Sequence, residues 1–181
     1  IVSHINSYAS RLLGKIYLHG QEIQQDYMKA KHYYELSASM NNSGALVKLG
    51  KMYFRGKGVE KNLLKAREYY EMAIKYNNPN ALYYLSQLYS TEDSVGIDIS
   101  KSMNYLLECI QIHFEKRNLY QQSTKNFFCY SICNKYHYHS NNDLGLIYLI
   151  EFQDFEKAEN YIRKGAYGEY PFGQSNLGLL L

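Results

Sequence analysis

The chain has 181 residues, is 46% hydrophobic and 15% aromatic, and carries a net charge of +3. That apolar content is enough to bury a continuous core and excludes a disordered chain, while no apolar run approaches the ~18 residues of a membrane span. The charge is uneven, with 12 Lys+Arg and 6 Asp+Glu in residues 1–75 against 8 and 11 in residues 76–181; the first part suits an acidic peptide or a membrane surface, but no Arg/Lys tract or nucleic-acid motif is present.

Taken in order, the chain repeats. After residues 1–6, a first helix is expected over Ser7 to His19 and a second over Asp26 to Met40. A second pair follows over Gly44 to Arg55 and Asn62 to Tyr76. A third first-helix spans Asn80 to Ser90, with a linker Thr91 to Ile97 and a partner helix beginning near Asp98. The columns Ala9/Ala45/Ala81, Leu13/Leu49/Leu85, Tyr17/Tyr53/Tyr89, Asp26/Asn62/Asp98 and Tyr33/Tyr69/Tyr105 each step by 36 residues. A fixed period of this size marks a repeat architecture. Ala45, Leu49, Met52, Tyr53 and Gly56 share one face of a 3.6-residue period. Gly56 and Gly58 stop that helix, because glycine reaches left-handed angles cheaply. Asp26, Asn62 and Asp98 read as N-caps. Ala66, Tyr69, Tyr70 and Ala73 form the buried stripe of the second helix, and Asn77-Asn78-Pro79-Asn80 is the turn to the next unit.

The period breaks after Cys109. The Leu144-Gly145 pair comes 59 residues after Leu85-Ser86, a surplus of 23. The third second-helix is expected to run through Ile112 and Phe114, and another helix to fill Leu119 to Tyr136. The pattern resumes with Leu144 to Tyr148 and, after a connection three residues shorter than in repeat two, with Lys157-Ala158 and Tyr161. Leu177-Gly178 opens a fifth unit. The expected repeats are 7–42, 43–78, 79–115, 141–172 and a partial 173–181, with 116–140 as a helical insertion. The missing initiator Met and a last helix cut at Leu181 point to a piece of a longer chain.

The pattern Ala-x3-Leu-Gly-x2-Tyr, Gly-x-Gly-Val, Lys-Ala, Tyr-Tyr, Ala at this spacing resembles the Sel-one-like repeat family, relatives of tetratricopeptide repeats. The match is fullest in repeat two; Ser86, Ser102 and the missing glycines of repeat three depart from it. The resemblance implies an all-α fold, a right-handed α-solenoid of antiparallel helix pairs whose first helices line a concave face. It also implies a non-catalytic scaffold or adaptor for a partner protein or peptide, within a larger assembly, with no cofactor. Some members serve the protein-degradation machinery of the endoplasmic reticulum, and that adaptor role is the alternative reading. On such a face, the first-helix positions off the core stripe are Arg11, Lys15 and Leu18, then Val47, Lys51 and Phe54, then Tyr83, Gln87 and Ser90. Arg11, Lys15 and Lys51 would hold an acidic or C-terminal group, with Tyr83 as an aromatic anchor.

Cys129, Cys133, His137 and His139 are metal-ligand types inside the insertion and support a different reading, an enzyme or metal module. On one continuous helix Cys129 and His137 stand about 12 Å apart, too far for one ion. A site would need the helix to end near Asn134, and the bland reading is two small buried residues before a polar loop. Gly56-x-Gly58 lacks phosphate-loop spacing and follows no strand. No Ser/His/Asp order stands out, and Glu92-Asp93 reads as solvated. Three cysteines out of repeat register fit reduced thiols in the cytosol, whereas the sequon Asn41-Asn42-Ser43 would suit an endoplasmic-reticulum lumen.

Overall fold

A computed structural model describes the backbone of residues 2–20, 23–91, 97–121, 127–167 and 171–180, and the side chains of 6–20, 23–91, 97–116, 136–167 and 174–178. Among these residues the secondary structure is all helical, and the fold is an all-α repeat solenoid. Two compact units divide the chain, Ile1–Gly96 and Ile97–Leu181.

The first unit contains α1 (Val2–His19), α2 (Tyr27–Ser39), α3 (Ser43–Arg55), α4 (Leu63–Lys75) and α5 (Asn80–Tyr89). α1 pairs with α2 and α3 with α4. α2 also packs on α3, and α5 lies against α4 and α3. The caps are those the sequence offered. The Asp26 carboxylate accepts the Lys29 amide at 2.9 Å, and Asn62 Oδ1 accepts the Lys65 amide at the same distance. Gly20 (φ 64°) and Gly56 (φ 66°) turn the chain out of α1 and α3. The step from each hairpin to the next uses Asn41 (φ 60°) and Asn77 (φ 59°), asparagine being one of the few residues with a side chain that visits this region readily.

Helix spacing in this unit is set by glycine facing tyrosine. A Cβ on Gly14 would come within 2.7 Å of the Tyr34 ring, and one on Gly50 within 2.4 Å of the Tyr70 ring. Tyr34 and Tyr70 are fully buried, together with Ala30, Ala45, Ala66, Ala73 and Leu49. Beside them Tyr17 stacks on Tyr33 with centroids 5.5 Å apart, and Tyr53 on Tyr69 at 5.6 Å. Offset stacking of aromatic rings adds to the area they bury. Tyr69, expected in the buried stripe of the second helix, is only half-buried.

The second unit contains α6 (Ile99–Gln121), α7 (Phe127–Ile150), α8 (Phe155–Ala166) and α9 (Pro171–Leu180). α7 packs on α6, α8 and α9, and α8 on α9. Here the stretch expected as one separate helix, Leu119 to Tyr136, is shared between two helices, with 122–126 outside the described residues. Leu119 to Gln121 end α6, and residues 127–136 begin α7. These two helices have 23 and 24 residues, against 13 in each of α3 and α4. Lengthening two antiparallel neighbours absorbs an insertion in one extended hairpin and leaves the capping turns on either side undisturbed. Asp98 still caps α6 through the Lys101 amide at 2.9 Å, and Asp154 caps α8 through the Lys157 amide at 3.0 Å. Tyr148 and Tyr161 repeat the tyrosine stack at 5.6 Å. Gly145 meets Ile162 where Gly50 meets Tyr70, so a bulky side chain on the second helix again fills the space glycine leaves.

Candidate functional site

α1 and α3 end side by side in the first unit, and a pocket of about 170 Å³ lies between their C-terminal turns. It is lined by Leu18 and His19 of α1, Lys48, Lys51, Met52 and Arg55 of α3, and Gln25 and Lys57 of the following loops. Lys48, Lys51 and Arg55 fall at i, i+3 and i+7 and so share one helix face. Arg55 is the last residue of α3. The left-handed Gly56 then reverses the chain, and the Lys57 amide donates to the Met52 carbonyl at 3.0 Å, which folds Lys57 back onto the same rim. Gln25 Nε2 donates to the Leu18 carbonyl at 2.6 Å and ties the first loop down. Lys51 Nζ donates to the Tyr84 hydroxyl at 3.2 Å and stands 4.8 Å from that ring's centroid. Both contacts hold the ammonium against the Tyr84 side chain. No carboxylate lines this pocket among the described residues.

The sequence-derived positions distribute unevenly. Lys51 and Leu18 line the pocket, and Lys15 is exposed on α1. Arg11 lies with its guanidinium carbon 5.0 Å from the centre of the Tyr8 ring. Phe54 and Gln87 are half-buried, Ser90 is exposed, and Gln87 Nε2 donates to the Tyr83 hydroxyl at 2.8 Å. Val47 and Tyr83 are each only 7% exposed, so they present little more than an edge. His19, Gln25, Lys48, Arg55 and Lys57 were not singled out by column counting. The signal for the cations was four basic residues from Lys48 to Lys57, three at helical spacing and the fourth just past the glycine stop.

The second unit has a larger cleft, about 760 Å³, lined by Leu107, Ile110 and Phe114 of α6, His137, Tyr138 and Asn141 of α7, and Tyr161, Lys164 and Tyr167, among others. Asn141 Nδ2 donates to the His137 carbonyl at 2.8 Å. Deeper in the unit, His113 Nδ1 donates to the Cys109 carbonyl at 2.7 Å and lies 3.4 Å from the Cys109 sulfur. Burial holds the His113 imidazole below its ordinary pKa, against the opposing pull of that hydrogen bond. Both residues are shut off from solvent, so the thiol has no access for chemistry.

α7 runs unbroken through Asn134, so His137 and His139 continue along it and do not fold back. The side chains of Cys129 and Cys133 lie outside the described residues. Among the described residues, no group of three or more His, Cys, Asp or Glu is placed to hold a metal ion. No helix among them is long and apolar enough to cross a membrane.

Comparison with known proteins bears on the family and the fold. The family described as Sel1 repeat matches residues 7–42, 43–75, 79–108 and 139–170. A Sel1 repeat protein from Oxalobacter formigenes has a similar structure, with a TM-score of 0.69 and 19% identity over 95% of this chain and 61% of that one. A protective antigen of uropathogenic Escherichia coli displaying an SLR fold gives 0.57 and 21% over 96% of this chain and 41% of the other. The chain thus spans about two-fifths and three-fifths of these two structures' lengths. No curated protein matches.

Proposed function

Because the chain belongs to the Sel1 repeat family, we propose that it is a non-catalytic scaffold holding an acidic segment of a partner protein against the first helices of its first unit. The family is generally one of protein–protein interaction scaffolds. The observation that carries the choice of face is the convergence of Lys48, Lys51, Arg55 and Lys57 on one pocket with no carboxylate in its described lining. Grouped charge of one sign raises the local concentration of an opposite partner, speeds its approach and repels the wrong ones. Lys15 and Phe54 flank the pocket's helices and extend the surface; Val47 and Tyr83 serve mainly as the packed support beneath it.

The test is binding of a fluorescent Glu-rich peptide to the purified chain, followed by anisotropy at low and high salt. Binding that weakens steeply with salt and falls about tenfold or more in Lys51→Glu/Arg55→Glu agrees with the proposal. Binding that neither salt nor the double reversal alters refutes it. A second reading, an adaptor in an endoplasmic-reticulum degradation complex, draws on the sequon at Asn41, which is exposed in its left-handed turn. A glycosidase-sensitive mobility shift after expression in secretory cells, lost in Asn41→Gln, is its check.

A further inference from the structure

We propose that the cleft of the second unit takes an amphipathic helix of a partner protein, apolar side inward, basic along one flank and acidic along the other. This goes beyond the basic pocket of the first unit and does not depend on it. Residues of α6, α7 and α8 line the cleft, α7 being the helix on which the other two pack. Leu107, Ile110 and Phe114 fall at i, i+3 and i+7, an apolar face of α6 about 10 Å long. Leu107 is 39% exposed, Phe114 43%, and Tyr167, just past α8, 86%. Large apolar groups thus stand in water around a space of about 760 Å³, and covering them is favourable in proportion to the area removed from water.

The walls decide the form of the occupant. An extended segment buried here would need donors for its own carbonyls. The lining residues of α6 and α7 sit mid-helix and those of α8 in its last two turns, so their main-chain N–H groups are already bonded along their helices. The side-chain amides of the lining are engaged as well. Asn141 Nδ2 donates to the His137 carbonyl at 2.8 Å, and Gln111 Nε2 to Glu115 Oε1 at 2.6 Å. A helix brings its backbone hydrogen bonds with it and needs only anchors at i, i+3 or i+4 and i+7 to enter an apolar groove. Charge then decides its orientation. Glu108 lines the α6 side and Lys164 the α8 side, both exposed. That arrangement suits a helix with opposite charges on its two flanks. An anionic lipid headgroup would meet the Glu108 carboxylate as well as the Lys164 ammonium, which disfavours it.

The experiment selects binders of the purified chain from a displayed library of random peptides about four helical turns long. The expected result is enriched peptides with apolar residues at i, i+3 or i+4 and i+7, Lys or Arg on one flank and Asp or Glu on the other. Their affinity, read by fluorescence anisotropy, should fall about tenfold or more in Tyr167→Asp, a side chain too exposed to carry the fold, and when proline is placed at the peptide's centre. Glu108→Lys/Lys164→Glu should weaken them, and exchanging the peptide's flank charges should restore binding. A Glu-rich peptide in excess should not displace them; displacement returns both to one site and overturns the proposal. Enriched peptides without that spacing, or binding that Tyr167→Asp and the charge exchange leave untouched, overturn it too. So does a dimer that light scattering detects in the parent and not in Tyr167→Asp, which assigns the cleft to a second copy, or saturable binding of a free fatty acid with no helix enriched.

Discussion

The two units solve the same packing problem with different regularity. In the first, α3 and α4 have 13 residues each, with a side-chain cap at both starts and a left-handed glycine closing α3. In the second, the first hairpin has helices of 23 and 24 residues, and its interior admits polar groups: His113, Ser140, Asn141 and Asn142 are at most 3% exposed. Buried polar groups need partners. Asn142 Oδ1 finds one in the Asn176 amide at 2.9 Å, across to α9. The difference lies in what fills each interior: small residues matched to rings in the first, and in the second longer helices with His113, Ser140, Asn141 and Asn142 among the buried side chains.

The sharpest way to break the comparison is through glycine. Gly50→Ala should cost about 1–3 kcal/mol by overpacking against Tyr70, seen as a lower denaturation midpoint. Gly178→Ala in α9 meets nothing within 4 Å and should leave the midpoint unchanged or raise it slightly. Removing a cap comes next: Asn62→Ala should cost about 1 kcal/mol and fray α4, read by amide exchange in its first turn.

The response to pH should then divide the units. Burial disfavours protonation of His113 in the folded chain, while in the unfolded chain it takes up a proton below about 6.5. Its contribution is therefore complete above that pH and is lost as the pH falls below it, in the second unit. Tyr34 and Tyr70 oppose this trend at the other extreme. Burial pushes the Tyr34 phenol up to about 12 and raises Tyr70 further, whereas unfolded tyrosines ionise near 10. Stability of the first unit should fall as pH rises above about 10. His113→Leu and a Tyr34→Phe/Tyr70→Phe pair should flatten the acid and alkaline arms respectively in denaturation midpoints taken across pH. The smallest effect is Tyr70→Phe at neutral pH. The Tyr70 hydroxyl is buried without a hydrogen-bond partner, so its removal should be neutral or mildly stabilising.

What the sequence revealed followed the same division. Caps, glycine stops and the Tyr17, Tyr53, Tyr33 and Tyr69 columns were legible because each copy uses the same local chemistry at the same spacing. The long α6 and α7 were not, since a lost period shows that the pattern has changed without showing into what. The basic pocket was half legible. Lys51 was among the first-helix positions and Arg55 continues its helix face, but Lys57 reaches the rim only because Gly56 reverses the chain. Val47 and Tyr83 lay off the core stripe and still became buried, because α3 is covered by α2, α4 and α5 together, α5 packs on both α4 and α3, and a stripe reports only one neighbour.

The lysine that follows each cap by three residues has a consequence for anyone counting positive charges on this molecule. Lys29, Lys65 and Lys157 each sit with the ammonium 5.3 Å from the ring centre of Tyr17, Tyr53 and Tyr148, on the helix before. Lys29 and Lys157 also lie 3.5 and 2.8 Å from the capping carboxylates of Asp26 and Asp154. These cations are occupied with their own repeat, as clasps between its two helices. An alanine scan for docking residues would register them as structural losses, and the residues that distinguish one copy from the next are the better place to look for a visitor's address.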